Sequence, residues 1–268
     1  MQTTTSADGT RIAFDVHGDS GGPTLVLVPA VLSTRAWDPL YDTLATRLAE
    51  GGLTVVRYDR RGRGDSGDTP PYAVEKEIAD IAAVIAATGG TAYAYGLSSG
   101  AVLALRATAA LPEITRLAVY EPPFIVDDSR PPLPDDYVEQ LDAAVAEGRR
   151  GDAVEILMTR AIRIPPEFLA GMKADPSWQA MEAVAHTIAY DGRVMGDTMS
   201  GRPLPTEWKS ITTPTLVLTG GVSEPYMHTG GRALAELLPH ATHRVVEGQG
   251  HDVDPAVLAP VLAEWFGR

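Results

Sequence analysis

Residues 96–100, Gly-Leu-Ser-Ser-Gly, lie between the apolar run Ala92–Tyr95 and a helical pattern that begins near Ser99. A serine on a tight turn from strand to helix is held in a strained backbone conformation with its hydroxyl exposed. The helix that follows points its free N–H groups and its positive dipole end at that turn. An ordinary Gly/Ser turn that caps a helix is the alternative, but the flanking strand and helix favour a nucleophile. The sequence therefore predicts Ser98 as the nucleophile, and Ser99, off the central position, is the weaker candidate.

Short aliphatic runs on both sides of this turn predict a parallel sheet. Three are continuous rather than alternating, as expected of strands covered on both faces: Thr24–Val28, Thr54–Tyr58 and Thr215–Leu218. Weaker strand patterns are Arg11–Val16, Ala92–Tyr95, Leu117–Tyr120 and Arg244–Val246. Helical patterns alternate with these strands: Trp37–Leu48, Glu75–Ala87, Ser99–Ala110 and Asp254–Phe266. The alternation predicts an α/β fold with a mostly parallel, doubly wound sheet.

Residues 124–209 interrupt this alternation, because they contain helical patterns without strands between them. The helical patterns are Tyr137–Ala146, Ala153–Ile162 and Trp178–Ile188. The segment is also rich in methionine, at Met158, Met172, Met181, Met195 and Met199. We predict a core formed by residues 1–123 and 210–268, with 124–209 inserted as a helical lid; a domain with its own core is the alternative.

A nucleophilic serine needs a base, and six histidines compete for that role. His251 follows Gly-Gln-Gly, directly after the last predicted strand and before the C-terminal helix. That position is on a loop at the carboxyl edge of the sheet, where catalytic groups of such folds collect. The sequence therefore predicts His251 as the general base. The other histidines fit packing or surface positions: His17, His186, His228, His240 and His243.

Taken together, these motifs resemble the α/β-hydrolase fold over essentially the whole chain. The resemblance rests on the strand, the Gly-x-Ser-x-Gly elbow, the helix, the late loop histidine and the helical insertion. Residues 58–66, Tyr-Asp-Arg-Arg-Gly-Arg-Gly-Asp-Ser, add a further signature of that family, a scaffold turn near the nucleophile. The order of nucleophile first and histidine last also agrees. The resemblance implies a serine hydrolase with a lid over its active site.

The oxyanion hole departs from the family pattern. Where family members commonly carry His-Gly after the first buried strand, this chain has Pro29 and Ala30. The donors are backbone N–H groups, so the side chains at this turn are not chemically required. By position the resemblance assigns them to Val31 and Ser99, neither of which is the proline that lacks an N–H.

The acid of the triad also departs from the pattern. The family's usual aspartate position falls on Ser223, and the adjacent Glu224 is out of register by one residue. Glu121 ends the preceding core strand at the carboxyl edge, where some family members carry a glutamate. We favour Glu121 over Glu224, and a buried structural ion pair is the alternative role for Glu121. Two more carboxylates lie too near the base in sequence: Asp252 and Asp254.

The rim of the predicted site is similar to the zearalenone-type lactonases in three places. These are the proline at position 29, Ser-Ser-Gly at 98–100, and Glu121. The likeness implies ester or lactone hydrolysis and does not extend to the lid, so it names no substrate.

The sequence thus predicts a serine hydrolase that cleaves an uncharged, fairly apolar carboxylic ester or lactone through an acyl-enzyme. Cleavage of C–C or amide bonds, or acyl transfer by the same triad, is the alternative among enzymes. A ligand-binding protein on a non-catalytic hydrolase fold is the alternative from another class. Four aromatic residues are candidates for lining the substrate pocket, although each also fits core packing: Trp37, Phe124, Trp178 and Tyr190.

The composition excludes several classes of protein. The 268 residues are 44% hydrophobic and 21% charged, which is typical of a globular protein rather than a disordered or collagen-like one. The absence of cysteine excludes a disulfide scaffold, a thiolate zinc site and a cysteine nucleophile. The net charge of −13, with no basic run, argues against nonspecific binding to nucleic acid or anionic membranes.

Location and partners follow from what the sequence lacks. The polar N-terminus, Met1–Asp8, does not have the pattern of a signal peptide, and no apolar stretch approaches the ~20 residues needed to span a bilayer. There is no metal-ligand cluster, Walker loop or dinucleotide-binding glycine motif, so neither a cofactor nor a metal is expected. We expect a cytoplasmic protein that acts on a small molecule, with no nucleic-acid or membrane partner, and leave a homodimer open.

Overall fold

The computed structural model describes residues 1–18 and 21–267. Within these ranges eight strands form one sheet: β1 (Gln2–Thr5), β2 (Arg11–His17), β3 (Thr24–Val28), β4 (Thr54–Tyr58), β5 (Ala92–Leu97), β6 (Ile114–Tyr120), β7 (Thr215–Gly220) and β8 (Ala241–Val246). Their order across the sheet is β1-β2-β4-β3-β5-β6-β7-β8. β1 and β2 are antiparallel to their neighbours, and the six strands from β4 to β8 in this order run parallel. The predicted fold class is confirmed.

Ten α-helices lie in the described part of the chain: α1 (Pro39–Glu50), α2 (Val74–Ala87), α3 (Ser99–Ala110), α4 (Tyr137–Ala146), α5 (Arg150–Ile156), α6 (Pro166–Ala174), α7 (Ser177–Val184), α8 (Ile188–Met195), α9 (Pro225–Leu237) and α10 (Pro255–Phe266). Shorter helical turns are the π-helical Leu157–Ile162 and the 3₁₀ segments Ala185–Thr187, Gly196–Met199 and Thr206–Ser210. The predicted helix over 153–162 is therefore split between α5 and the π-helical turn. The one predicted over 178–188 is split among α7, a 3₁₀ turn and the start of α8.

The apolar side chains form three clusters. One lies between the sheet and the helices α2, α3 and α9, and a second lies on the opposite face under α1 and α10. The continuous burial of β3 and β7 follows from this double cover. A third cluster joins the helices between β6 and β7, with Leu141, Val154 and Ile188 among its members. Residues 124–209, called the helical insertion below, thus have apolar packing of their own, and the division into core and lid stays a prediction.

The register of the parallel strands brings four strand ends to one edge of the sheet. Val28 pairs with Gly96, Leu97 with Tyr120, and Tyr120 with Leu218. The residues that follow β3, β5 and β6, together with the end of β7, therefore meet at the carboxyl edge. In open α/β sheets this is the edge at which ligands bind. In the described residues, none of the helices has the length and apolar character needed to cross a bilayer.

Candidate active site

Ser98 lies at the sharp turn between β5 and α3. Its backbone has φ 56° and ψ −129°, a conformation that is strained for a residue with a side chain. The turn is closed by a hydrogen bond from the Ser98 amide to the Tyr120 carbonyl, at 3.0 Å. A Cβ on Gly96 would lie 2.3 Å from the Gly100 carbonyl oxygen, and one on Gly100 would lie 2.4 Å from the Val28 carbonyl oxygen. Glycine is therefore required on both sides of Ser98, because neighbouring backbone atoms occupy the space that a Cβ would need.

His251 and Glu121 form a hydrogen-bonded pair at the carboxyl edge. Nδ1 of His251 lies 2.8 Å from Oε2 of Glu121, and the other carboxylate oxygen accepts the Gly220 amide at 2.7 Å. Glu121 follows β6 with φ 45°, which turns the chain out of the sheet. The hydroxyl of Tyr120 donates to the Gly250 carbonyl at 2.7 Å and so anchors the loop that carries His251. The arrangement orients the imidazole with its Nδ1 toward the carboxylate.

Burial and hydrogen bonding act in opposite directions on Glu121. Its side chain is fully buried, which by itself raises the pKa of the carboxyl group. The hydrogen bonds from His251 and from the Gly220 amide outweigh this and leave the pKa of Glu121 below its ordinary value. A buried carboxylate held ionised beside an imidazole that is 40% exposed can stabilise a positive charge on that ring.

The other carboxylate candidate lies apart from this pair. Glu224 is exposed at the start of α9, next to Ser223. It lines the same cavity as Ser98 and His251, as does Asp252. The carboxylate hydrogen-bonded to His251 is that of Glu121, which is the arrangement the sequence favoured.

The two residues whose amides are assigned to the oxyanion hole, Val31 and Ser99, are in contact. The Val31 N–H donates to the side-chain oxygen of Ser99 at 2.9 Å. Ser99 is the first residue of α3, and amides in the first turn of a helix have no acceptor within the helix. The hydrogen bond shows that the Val31 N–H points toward the N-terminus of α3, and its role as an oxyanion donor stays a prediction.

A cavity of about 820 Å³ opens between the carboxyl edge and the helical insertion. Ser98, Ser99, Val31, Glu121 and His251 all lie in its wall. Most of the remaining lining is apolar: Leu133, Tyr137, Val138, Leu157, Met158, Ile162, Ile164, Ile188, Met195, Met199, Val222, Tyr226 and Met227. The lining also includes charged side chains: Asp135, Arg163, Asp191, Asp197, Arg202, Glu224 and Asp252.

The four aromatic residues suggested as pocket lining lie elsewhere. Trp37 is 40% exposed, and Phe124 is buried against the Trp208 ring at a centroid distance of 5.7 Å. Trp178 belongs to the apolar cluster of the insertion. Tyr190 stacks on Tyr72 and its hydroxyl donates to Asp68 at 2.7 Å. Among the described residues that line the cavity, none of the four appears.

Sequence reasoning missed the cavity-facing side of α8. Ile188, Asp191, Gly192 and Met195 line the cavity at spacings of i, i+3, i+4 and i+7. This is the period of one helix face. The pattern was available in the sequence, but an aspartate and a glycine among its members hide it from a search for apolar stripes.

The comparisons with known proteins agree with this architecture. Residues 16–261 match the model of the alpha/beta hydrolase family. An alpha/beta hydrolase from Sphaerobacter thermophilus DSM 20745 is 53% identical, with a TM-score of 0.89 over 99% of this chain and 100% of that chain.

Two further solved structures share the fold at low identity. A thermophilic esterase from Thermogutta terrifontis, solved with malate bound, is 21% identical with a TM-score of 0.71, covering 100% of this chain and 98% of its own. The enol-lactonase from Burkholderia xenovorans LB400 is 19% identical with a TM-score of 0.69, covering all of both chains. On the family match and the Sphaerobacter likeness, the chain belongs to the alpha/beta hydrolase family.

Proposed function

We propose that the protein is a serine hydrolase that cleaves an uncharged, fairly apolar carboxylic ester or lactone. The observation that carries the proposal is the buried, ionised Glu121 bound to Nδ1 of His251 in the wall of the cavity that also exposes Ser98. A base oriented by a carboxylate beside a serine on a strained turn is the constellation that nucleophilic acyl transfer requires. Ser98 and His251 would both be superfluous in a protein that only binds a ligand.

In the first half-reaction, Ser98 Oγ attacks the acyl carbon while Nε2 of His251 removes the serine proton. The C–O bond to the leaving alkoxide then breaks, and the imidazolium returns that proton to the alkoxide oxygen. With a lactone the leaving hydroxyl remains part of the acyl group. In the second half-reaction His251 deprotonates a water, which attacks the acyl carbon. The bond from that carbon to Ser98 Oγ then breaks, the imidazolium returns its proton to Oγ, and the acid is released.

The negative charge that forms on the carbonyl oxygen would be held by the amides of Val31 and Ser99. An oxyanion donor of this kind is worth about 3–4 kcal/mol in the transition state. The Val31 N–H is bonded to the Ser99 hydroxyl in the structure. For Val31 to serve as a donor, that hydroxyl must rotate away when substrate enters.

The substrate class follows from the lining of the cavity. The walls are mainly aliphatic and methionine side chains, which favours an apolar acyl or alcohol group. Carboxylates outnumber arginines along the same walls, which disfavours an anionic substrate. The esterase and the enol-lactonase of similar fold also act, by their names, on ester bonds.

A fluorophosphonate probe together with p-nitrophenyl butyrate tests the proposal. We expect covalent labelling of Ser98 and steady turnover of the ester, both abolished by Ser98→Ala. The matched control is Ser177→Ala, which removes an exposed serine at the start of α7 and should leave both unchanged. Labelling or turnover that survives Ser98→Ala would show that the reaction does not use this nucleophile.

A further inference from the structure

Asp191 is a buried carboxylate of the helical insertion that the reaction described above does not use. It lies on α8, is 4% exposed, and faces two arginines of the loop after β4. Its Oδ1 lies 2.6 Å from Nη1 of Arg60, and its Oδ2 accepts Nη2 of Arg63. Burial raises the pKa of Asp191, but the two arginines, together with a hydrogen bond from the Ser99 hydroxyl, outweigh it, so the carboxyl pKa lies below its ordinary value. The carboxylate is therefore held ionised between two buried guanidinium groups.

The two arginines depend on Asp191 to different degrees. Arg60 also forms a two-pronged ion pair with Glu77, at 2.6 and 2.7 Å. For Arg63, the ion pair with Asp191 is the only one among the described residues. Its Nε donates to a second group of the insertion, the Thr187 hydroxyl, at 2.9 Å. Removing the Asp191 charge would leave the Arg63 guanidinium buried without a counter-ion, a costly state that it would relieve by moving.

Arg63 also holds the backbone at the oxyanion site. Its Nη1 donates to the carbonyl oxygen of Ala30 at 2.6 Å, and Nη1 of Arg60 lies 3.4 Å from the Pro29 carbonyl oxygen. The Ala30 carbonyl and the Val31 N–H belong to the same peptide unit. Because a trans peptide is planar, its C=O and N–H point in opposite directions. An arginine that fixes the Ala30 oxygen on one side therefore aims the Val31 N–H at the other, toward Ser99 and the cavity.

We propose that Asp191 is a positioning residue for the Val31 amide, acting through Arg63 and the Ala30–Val31 peptide. The helical insertion thereby contributes to the oxyanion hole as well as to the cavity wall. A cationic donor on the carbonyl also polarises the peptide and strengthens its N–H as a donor. This inference rests on the proposed function, since it assigns a role within that reaction.

The test compares Asp191→Asn with Asp80→Asn. Asp80 forms a buried pair with Arg61, a neighbour of Arg63 in the same loop, at 2.7 and 2.8 Å, and it lies outside the cavity lining. Both substitutions remove one buried carboxylate charge from an arginine of this loop, and both should lower the melting temperature. With p-nitrophenyl butyrate, we expect Asp191→Asn to lower kcat by about 10- to 100-fold with KM changed less than about threefold. Asp80→Asn should change kcat by less than about threefold.

The pH dependence of kcat distinguishes a loss of positioning at the Val31 amide from a change in the general base, His251. Asp191 acts on the amide and not on His251, so the midpoint of the pH profile should be the same in Asp191→Asn and in the wild type. Equal kcat values for the two variants, or a shifted midpoint, would overturn the inference.

Thr187→Val covers the case in which Asp191→Asn does not fold. It keeps every charge and removes the hydroxyl that accepts from Arg63 Nε, together with that hydroxyl's own hydrogen bond to the Val184 carbonyl within the insertion. We expect a loss in kcat of about three- to tenfold, again with KM nearly unchanged. An unchanged kcat in this variant would count against Arg63 as the link.

Different experimental results would contradict the role of Asp191 and the proposed function. If the fluorophosphonate does not label wild-type Ser98, the proposed function is wrong and the inference falls with it. If Ser98 is labelled and p-nitrophenyl butyrate is turned over, but Asp191→Asn behaves like Asp80→Asn, only the inference is wrong.

Discussion

The two walls of the cavity are built in different ways. At the carboxyl edge of the sheet, backbone atoms approach so closely that a methyl group on Gly96 or Gly100 would overlap a carbonyl oxygen. In the helical insertion, a Cβ on the cavity-lining Gly192 would lie 2.8 Å from a side-chain atom, Cγ2 of Val138, and one on Gly171 of α6, outside the cavity lining, would meet no atom within 4 Å. The insertion faces the cavity mainly with flexible or aliphatic side chains, including Met158, Met195 and Met199. Backbone contacts therefore fix the geometry of the edge, whereas side chains that can rearrange form the wall of the insertion. In the proposed hydrolase, the edge would carry out the chemistry and the insertion would select the substrate.

Glycine-to-alanine substitutions give the largest contrast between the carboxyl edge and the helical insertion. Gly100→Ala places a Cβ 2.4 Å from the Val28 carbonyl oxygen, so we expect a loss of more than about 4 kcal/mol in stability, or failure to fold. Gly171→Ala should be neutral or stabilising by about 0.5–1 kcal/mol, because alanine favours the helix. Urea denaturation of both variants measures the difference. A small loss of stability in Gly100→Ala would mean that the turn between β5 and α3 can relax, and that the carboxyl edge is no more rigid than the insertion.

Within the edge, the two glutamates of the cavity differ in their contact with His251. Replacing Glu121 with glutamine removes the charge that stabilises the imidazolium, and we expect kcat to fall by about 10²–10⁴-fold. Glu224→Gln, the matched change at an exposed position, should alter kcat by less than about threefold. Steady-state kinetics on p-nitrophenyl butyrate gives both values. An equal or larger loss at Glu224 would reassign the triad acid.

Substituting two methionines of the insertion tests its effect on substrate selectivity separately from its effect on the stability of the fold. Met158 and Met181 are each 7% exposed and belong to the same apolar cluster, but only Met158 lines the cavity. Alanine at either position should cost about 2–5 kcal/mol in stability. Met158→Ala should also shift the ratio of kcat/KM for octanoyl over butyryl esters by about tenfold, because the cavity is enlarged. A similar shift in Met181→Ala would mean that selectivity changes whenever the packing of the insertion is disturbed, and not only when a cavity-lining residue is replaced.

The smallest expected effect is on the pH dependence of stability. Because the pKa of Glu121 is lowered in the folded protein, its ionised form stabilises the fold fully above the ordinary pKa of 4.5. That contribution is lost as the pH falls through the lowered value. The unfolding free energy of the wild type should therefore decline more steeply below about pH 5 than that of Glu121→Gln. Parallel curves from urea denaturation between pH 3 and 7 would contradict this.

Some elements escaped prediction because their sequences contradict local propensity. α9 contains Gly230 and Gly231, which disfavour a helix. A Cβ at these positions would lie 2.8 Å from the Phe124 carbonyl oxygen and 2.7 Å from Thr219 Cγ2. The glycines serve close packing against the core, which only the assembled fold shows. β1 was missed because it is short, polar and exposed at the sheet edge.

The aromatic residues predicted to line the substrate pocket do not line the cavity, for a related reason. Phe124 and Trp178 carry large apolar surfaces, and burying these in the packed interior is favourable wherever the chain permits it. Composition marks such residues as buried but does not say whether the neighbour is a ligand or another side chain. The helix that does face the cavity, α8, does so with Asp191 and Gly192 among its lining residues.

By itself, the sequence determined the fold class and the positions of Ser98 and His251 on turns at the ends of strands. These are local properties: a strand, a glycine-flanked turn and a helix constrain the backbone over a few residues. Only the tertiary structure decided that Glu121 meets His251, 130 residues away, and that Asp191 of the insertion reaches Arg63. Contacts between distant side chains depend on strand register and on the direction of each side chain, and both are settled only when the elements pack.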